Sequence, residues 1–101
     1  MASIVFEALA DPTRRRVLEL LAERELTAGE IAAAFTVSRP AVSRHLRVLR
    51  EAGLVKARRD SQRRVYGLDP GPLHELDLWL ERYRRFWPDR LDALEEHLRR
   101  T

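Results

Sequence analysis

Cysteine is absent from this chain of 101 residues. That absence removes disulfides, thiolate metal sites and cysteine nucleophiles together, and it suits a reducing, cytoplasmic setting. No apolar run approaches the roughly 20 residues of a membrane span. The start, Met1-Ala2-Ser3-Ile4-Val5-Phe6-Glu7, lacks the basic opening and long apolar stretch of a signal peptide, so no membrane partner is expected. Low-complexity segments and internal repeats are missing too. The chain has no P-loop, no Gly-x-Ser-x-Gly, no His-Glu-x-x-His and no acid pair in an evident pocket, and its few histidines are scattered. Neither an enzyme nor a cofactor is expected. The length fits one domain over residues 1–101, with a core that is marginal for a lone protomer.

What is abundant is charge, at 35% of residues, and its distribution is uneven. Residues 39–64 hold nine basic groups against two acids, Glu51 and Asp60, for a net +7. The remainder holds ten basic and fourteen acidic groups, for a net −4. A concentrated positive field attracts a polyanion and releases its counterions. Charge alone also fits a plain solvated face, so the local structure has to decide.

Ser3 to Leu9 reads as a short helix with Ile4, Val5, Ala8 and Leu9 on its apolar side. Asp11-Pro12 restarts a helix, with Asp11 as its cap and Pro12 at its first position. It runs to about Ala22, with Val17, Leu18 and Leu21 on one face. Thr27-Ala28-Gly29-Glu30 matches a capping box and opens a helix that turns Ile31, Ala32 and Phe35 inward. Thr36-Val37 is a turn, and Ser38 caps a helix from Arg39 to about Ala52. On this helix Val42, His45, Leu46, Leu49 and Ala52 form one stripe, while Pro40, Ser43, Arg44 and Arg47 form the opposite face. Gly53 stands where a C-terminal cap glycine belongs. Val55–Arg58 and Arg63–Leu68 then alternate as strands about an Asp60-Ser61-Gln62 turn, giving an arginine-rich hairpin that must lean on the helical core. From Leu73 to Leu98 leucines and aromatics recur every three or four residues. Pro88 inside that run predicts a kink or break near Trp87.

Helix, short helix, turn, basic helix and basic hairpin are the order of a winged helix-turn-helix: a mainly α (α+β) fold with a two-stranded wing, whose second helix would enter a major groove. Ser43 and Arg44, on the outer face of that helix, are the base-contact candidates, since arginine suits guanine O6 and N7. Ser38, Arg39 and Arg47 suit phosphates, and Arg39 has the alternative of reading a base. His45 lies at the edge of the apolar stripe, with packing, phosphate bonding or base readout open to it. Arg58, Arg59, Arg63 and Arg64 flank the hairpin turn. Of these, Arg59 and Arg63 are placed for a minor groove or for phosphate contact alone. Trp79, Tyr83, Phe86 and Trp87 are too dense an aromatic group for one small core, and Leu80, Tyr83, Trp87 and Leu91 share a face. A homodimer interface is the first reading; core packing and an effector pocket are the alternatives.

The segment Ser38-Arg39-Pro40-Ala41-Val42-Ser43-Arg44-His45-Leu46-Arg47-Val48-Leu49-Arg50-Glu51-Ala52-Gly53-Leu54-Val55 resembles the recognition-helix region of the arsenic-repressor (ArsR/SmtB) family. Ala8-Leu9-Ala10-Asp11-Pro12-Thr13-Arg14-Arg15 resembles that family's start, and Arg63-Arg64-Val65-Tyr66-Gly67-Leu68 its second wing strand. The resemblance covers residues 6–68, taken as the DNA-binding core, and implies a dimeric repressor of transcription on a palindromic operator. In the family the first and last helices form the dimer. That adds Ile4, Val5 and Leu94 to the expected interface and makes 70–100 the dimerisation region. Phe86-Trp87-Pro88-Asp89-Arg90-Leu91-Asp92-Ala93-Leu94 resembles a branch without a metal site. One family sensor site uses a Cys-x-Cys pair; Thr27 and Gly29 stand at the matching positions here. A second uses Asp and His pairs on the last helices. His74, Asp77, Asp92, Glu96 and His97 do not reproduce its spacing, so no metal is expected. The competing readings are a metal- or ligand-responsive sensor on the same scaffold and a winged helix used as a protein-interaction module. The sequence names no effector.

Overall fold

A computed structural model describes the backbone of residues 3–100 and the side chains among them except those of 88–93. Its elements are α1 (Ser3–Ala10), α2 (Pro12–Glu23), β1 (Leu26–Thr27), α3 (Ala28–Ala34), α4 (Arg39–Glu51), β2 (Val55–Asp60), β3 (Arg63–Leu68), α5 (Gly71–Arg84) and α6 (Pro88–Arg100).

Polar side chains set the helix ends. Asp11 accepts from the Thr13 and Arg14 amides at 2.8 and 3.1 Å and so caps α2, satisfying amides that have no partner within the helix. Two arginines of α2 turn back to α1. Arg14 donates to the Ala8 and Glu7 carbonyls at 2.7 and 2.8 Å, and Arg15 donates to that of Leu9 at 2.7 Å. They close the C-terminus of α1, where cations are favoured. Thr27 and Glu30 form the reciprocal capping box of α3, with bonds of 3.2 and 2.9 Å. Ser38 caps α4 through the Ala41 amide at 3.3 Å. At the other end of α4 the chain reverses at Gly53, with φ +77°. The Leu54 amide donates to the Leu49 carbonyl and the Gly53 amide to that of Arg50, both at 2.9 Å. This pair of bonds defines a Schellman cap, and the left-handed residue in it favours glycine.

The core lies between α2, α4 and the sheet. Val17, Ile31, Leu46, Leu49 and Leu54 are fully enclosed, and the expected stripe of α4 is buried at Val42, Leu46, Leu49 and Ala52. Ala32, Phe35, Tyr66, Leu68 and Leu73 pack against it from the rim. Burial of this stripe fixes which face of α4 remains outside.

The hairpin of β2 and β3 pairs from Val55↔Leu68 to Asp60↔Arg63 around a two-residue turn, with Ser61 at φ 61°. A third strand joins it. β1 pairs with β3 at Leu26↔Tyr66 and Thr27↔Val65, giving a sheet of order β1-β3-β2. The wing is therefore fastened to the start of α3. Near Trp87 the C-terminal run breaks rather than bends. The Phe86 amide bonds to the Tyr83 carbonyl at 3.0 Å and that of Trp87 to Arg84 at 2.9 Å, after which Pro88 opens α6. Proline needs no amide donor at a helix's first position, so it starts a helix there at no cost in hydrogen bonds.

Candidate nucleic-acid interface

Because Val42, Leu46 and Leu49 face the core, Arg39, Ser43, Arg44 and Arg47 are left in solvent on the far side of α4. The wing stands beside that exposed face. Ser43, Arg44, Arg47 and Arg50 from α4 and Arg64 and Tyr66 from β3 line one open cleft of about 350 Å³. Arg64 lies over the Tyr66 ring, 5.8 Å from its centroid. The ring gives the long side chain a surface to rest on and keeps its charge at the cleft. Arg50 and Tyr66 were not among the expected contacts. The signal for Arg50 was available, since it follows Arg47 by three residues on the same helix face. Tyr66 could be placed only once the wing's position was known.

The remaining expected contacts divide by their neighbours. Ser38 is occupied as a helix cap. The Arg39 guanidinium carbon lies 3.7 Å from where a Cβ on Gly29 would stand, so it rests over the first turn of α3. His45 is half-buried on α4, at the edge of the buried stripe of Val42, Leu46 and Leu49. Arg63 pairs with Asp60 at 3.2 Å and Arg58 with Glu25 at 3.0 Å. Arg59 is exposed at the wing tip and forms no ion pair among the described residues.

The expected interface residues also divide. Val5 is only 5% exposed and belongs to the protomer's own core with Ala8. This corrects its placement at an interface: it sits on the inner side of α1, and Phe6 instead faces outward beside Ile4. Trp79 and Leu80 are half-buried. Trp79 meets Phe6 edge-on at 5.6 Å and Tyr83 at 5.0 Å, linking α1 to α5. Tyr83, Phe86, Trp87, Leu94 and Leu98 are exposed, Phe86 by 63%. Leu91 lies outside the residues whose side chains are described.

Of the residues expected at the two family metal positions, Asp92 lies outside those whose side chains are described. The Thr27 hydroxyl is engaged in the capping box, and the Arg39 guanidinium lies in van der Waals reach of the Gly29 position. Asp77 pairs with Arg84 and Glu96 with Arg100. Among the described residues no three His, Asp or Glu side chains come together. No helix among them is long and apolar enough to cross a membrane.

The helix-turn-helix, from the cap of α2 to the start of the wing, coincides with a match to the bacterial regulatory protein arsR family over residues 11–57. The HTH-type transcriptional regulator Rv2034 of Mycobacterium tuberculosis is 51% identical over 82 residues, covering 81% of this chain and 74% of its own. The chain belongs to the arsR family. The transcriptional repressor SdpR of Bacillus subtilis is 40% identical over 76 residues, covering 75% of this chain and 84% of its own. A crystal structure described as a possible transcriptional regulator for arsenical resistance superposes with a TM-score of 0.68 at 47% identity, over 90% of this chain and 92% of that one. The arsR-family protein is thus a DNA-binding transcriptional regulator and not an enzyme.

Proposed function

We propose that the chain acts in the cytoplasm as a homodimeric repressor that reads a palindromic operator and carries no thiolate metal sensor. The observation that carries this reading is the cleft between α4 and the wing, where four arginines, Ser43 and Tyr66 face one open space. Arg44 and Ser43 read base edges. Arg47, Arg50 and Arg64 hold the phosphate strand that runs between helix and wing, and Arg59 extends the contact beyond it. Support for the homodimer comes from the aromatic face of α1 and α5, with Phe6, Tyr83, Phe86 and Trp87 in solvent. A second copy is the partner that would cover it.

Selection of bound sequences from random duplexes, followed by footprinting, tests this. The expected result is an inverted repeat with half-sites about one helical turn, or a small multiple, apart. A single asymmetric half-site overturns the dimeric reading. Salt-independent binding overturns the interface itself.

A further inference from the structure

Glu25 immediately precedes β1, and Arg58 lies on β2, so the central strand β3 separates them. Their side chains nevertheless meet. Arg58 Nε donates to Glu25 Oε2 at 3.1 Å and Arg58 Nη2 to Glu25 Oε1 at 3.0 Å. Two parallel bonds of this kind fix a guanidinium's direction as well as its charge. The route between them passes over Gly67. A Cβ there would stand 3.1 Å from Glu25 Oε2 and 3.3 Å from its Cγ. A Cβ at residue 67 would therefore make the carboxylate give by a few tenths of an ångström. Hydrogen bonding to Arg58 holds the Glu25 carboxyl below the usual range, with Lys56 adding attraction and Asp60 opposing it. The same bonds raise Arg58 further. Arg59 and Arg64, its neighbours on the wing, face no acid among the described residues.

We propose that Glu25 is an internal competitor for DNA phosphate: by holding Arg58 across Gly67 it withdraws one arginine of each wing from the backbone contact. The inference rests on the DNA-binding reading above. Non-specific affinity is almost wholly a matter of phosphates neutralised. A clamp that removes one charge lowers it while leaving base readout by α4 untouched, so the ratio of specific to non-specific binding rises.

The test compares full-length wild type with Glu25→Gln, Gly67→Ala, Arg58→Ala, Arg59→Ala and the double variant Glu25→Gln/Arg58→Ala on random-sequence duplex between low and moderate salt. Glu25→Gln is expected to steepen the log–log salt dependence by about 0.9 per protomer, and Gly67→Ala to act in the same direction. Arg58→Ala leaves the slope of the wild type, and the double variant returns to it, whereas Arg59→Ala lowers it. A purely structural role for the pair would change thermal melting without this pattern of slopes. An Arg58→Ala slope reduced as far as that of Arg59→Ala overturns the proposal, as does an unchanged slope in Glu25→Gln. A second readout needs no DNA. The Arg58 Nε–H resonance of the free protein should be shifted and protected from exchange in wild type, should lose both features in Glu25→Gln and should move part of the way in Gly67→Ala. Its absence from wild type overturns the clamp itself. A wild type that binds no duplex overturns the DNA reading instead, and the resonance still scores the clamp.

Discussion

Arg44 and Arg59 carry equal charge, yet their positions assign them different work. Arg44 projects from the solvent-exposed side of α4 beside Ser43, and Arg59 from the tip of the wing. Arg44→Ala is expected to cost about 1–3 kcal/mol on the operator and to relax preference at one base position. Arg59→Ala weakens all sequences alike. Competition binding on operator variants separates the two, and unchanged selectivity in Arg44→Ala would remove α4 from the groove. Asp11 illustrates a purely structural charge. The Arg14 and Thr13 amides, together with nearby positive charge, hold its carboxyl below the ordinary aspartate value. A depressed folded-state value means that its stabilisation is complete above the unfolded pKa of about 3.9 and fades as pH falls through the folded value. Asp11→Ala should cost about 1 kcal/mol near neutrality and much less in strong acid, as thermal melts at the two pH values would reveal. Local roles were legible where side chain and helix phase were enough, as for the caps at Asp11, Thr27 and Ser38 and the solvent-facing position of Arg44. Val5 was not, because it sits at the border of an apolar stripe, and only the neighbouring helix decides which way such a residue points.

At the scale of elements, caps were the readable part. Each of α2, α3 and α4 begins at the side chain that the sequence marks for it, because a cap is a local bond requiring no distant partner. Gly53 belongs to the same class. Its φ of +77° is open to glycine and strained for a branched residue, so Gly53→Val should destabilise by about 1–2 kcal/mol. Urea denaturation measures this, and an unchanged midpoint would refute the strained cap. Strand β1 could not be read in this way. Two residues give no period, and Leu26-Thr27 is a strand only because β3 arrives beside it. The break at Arg85–Trp87 was half legible: Pro88 forbids a continuous helix, but whether the chain bends or restarts depends on the turn that precedes it.

For the whole molecule the open question is what covers the aromatic face. Tyr83→Ala and Trp87→Ala should each weaken self-association and, through it, operator affinity, while leaving the monomer folded. Sedimentation equilibrium gives the first effect, and a wild type that is monomeric at micromolar concentration would refute the dimer. Operator affinity should also be indifferent to excess zinc, arsenite and cadmium, since Thr27 and Gly29 stand where the family's thiolates would be. A tenfold loss of affinity, about 1.4 kcal/mol of coupling, together with a stoichiometric metal would contradict that.

The two residue pairs between β1 and β3 have a consequence in time. They join points some forty residues apart, Leu26 and Tyr66, and the chain between them contains α3, α4 and β2. The helix-turn-helix is therefore a closed ring, clasped at its base by a short piece of sheet. Drawing such a ring shut costs roughly 3 kcal/mol of chain entropy, before its few hydrogen bonds return anything. Helices and hairpin, made of near neighbours in the chain, assemble early, and the clasp comes late. Leu49 of α4 and Leu54 and Val55 at the start of the wing already share the core with Tyr66 and Leu68 at its rim, so the clasp adds a second, longer-range tie between the helix-turn-helix and the wing.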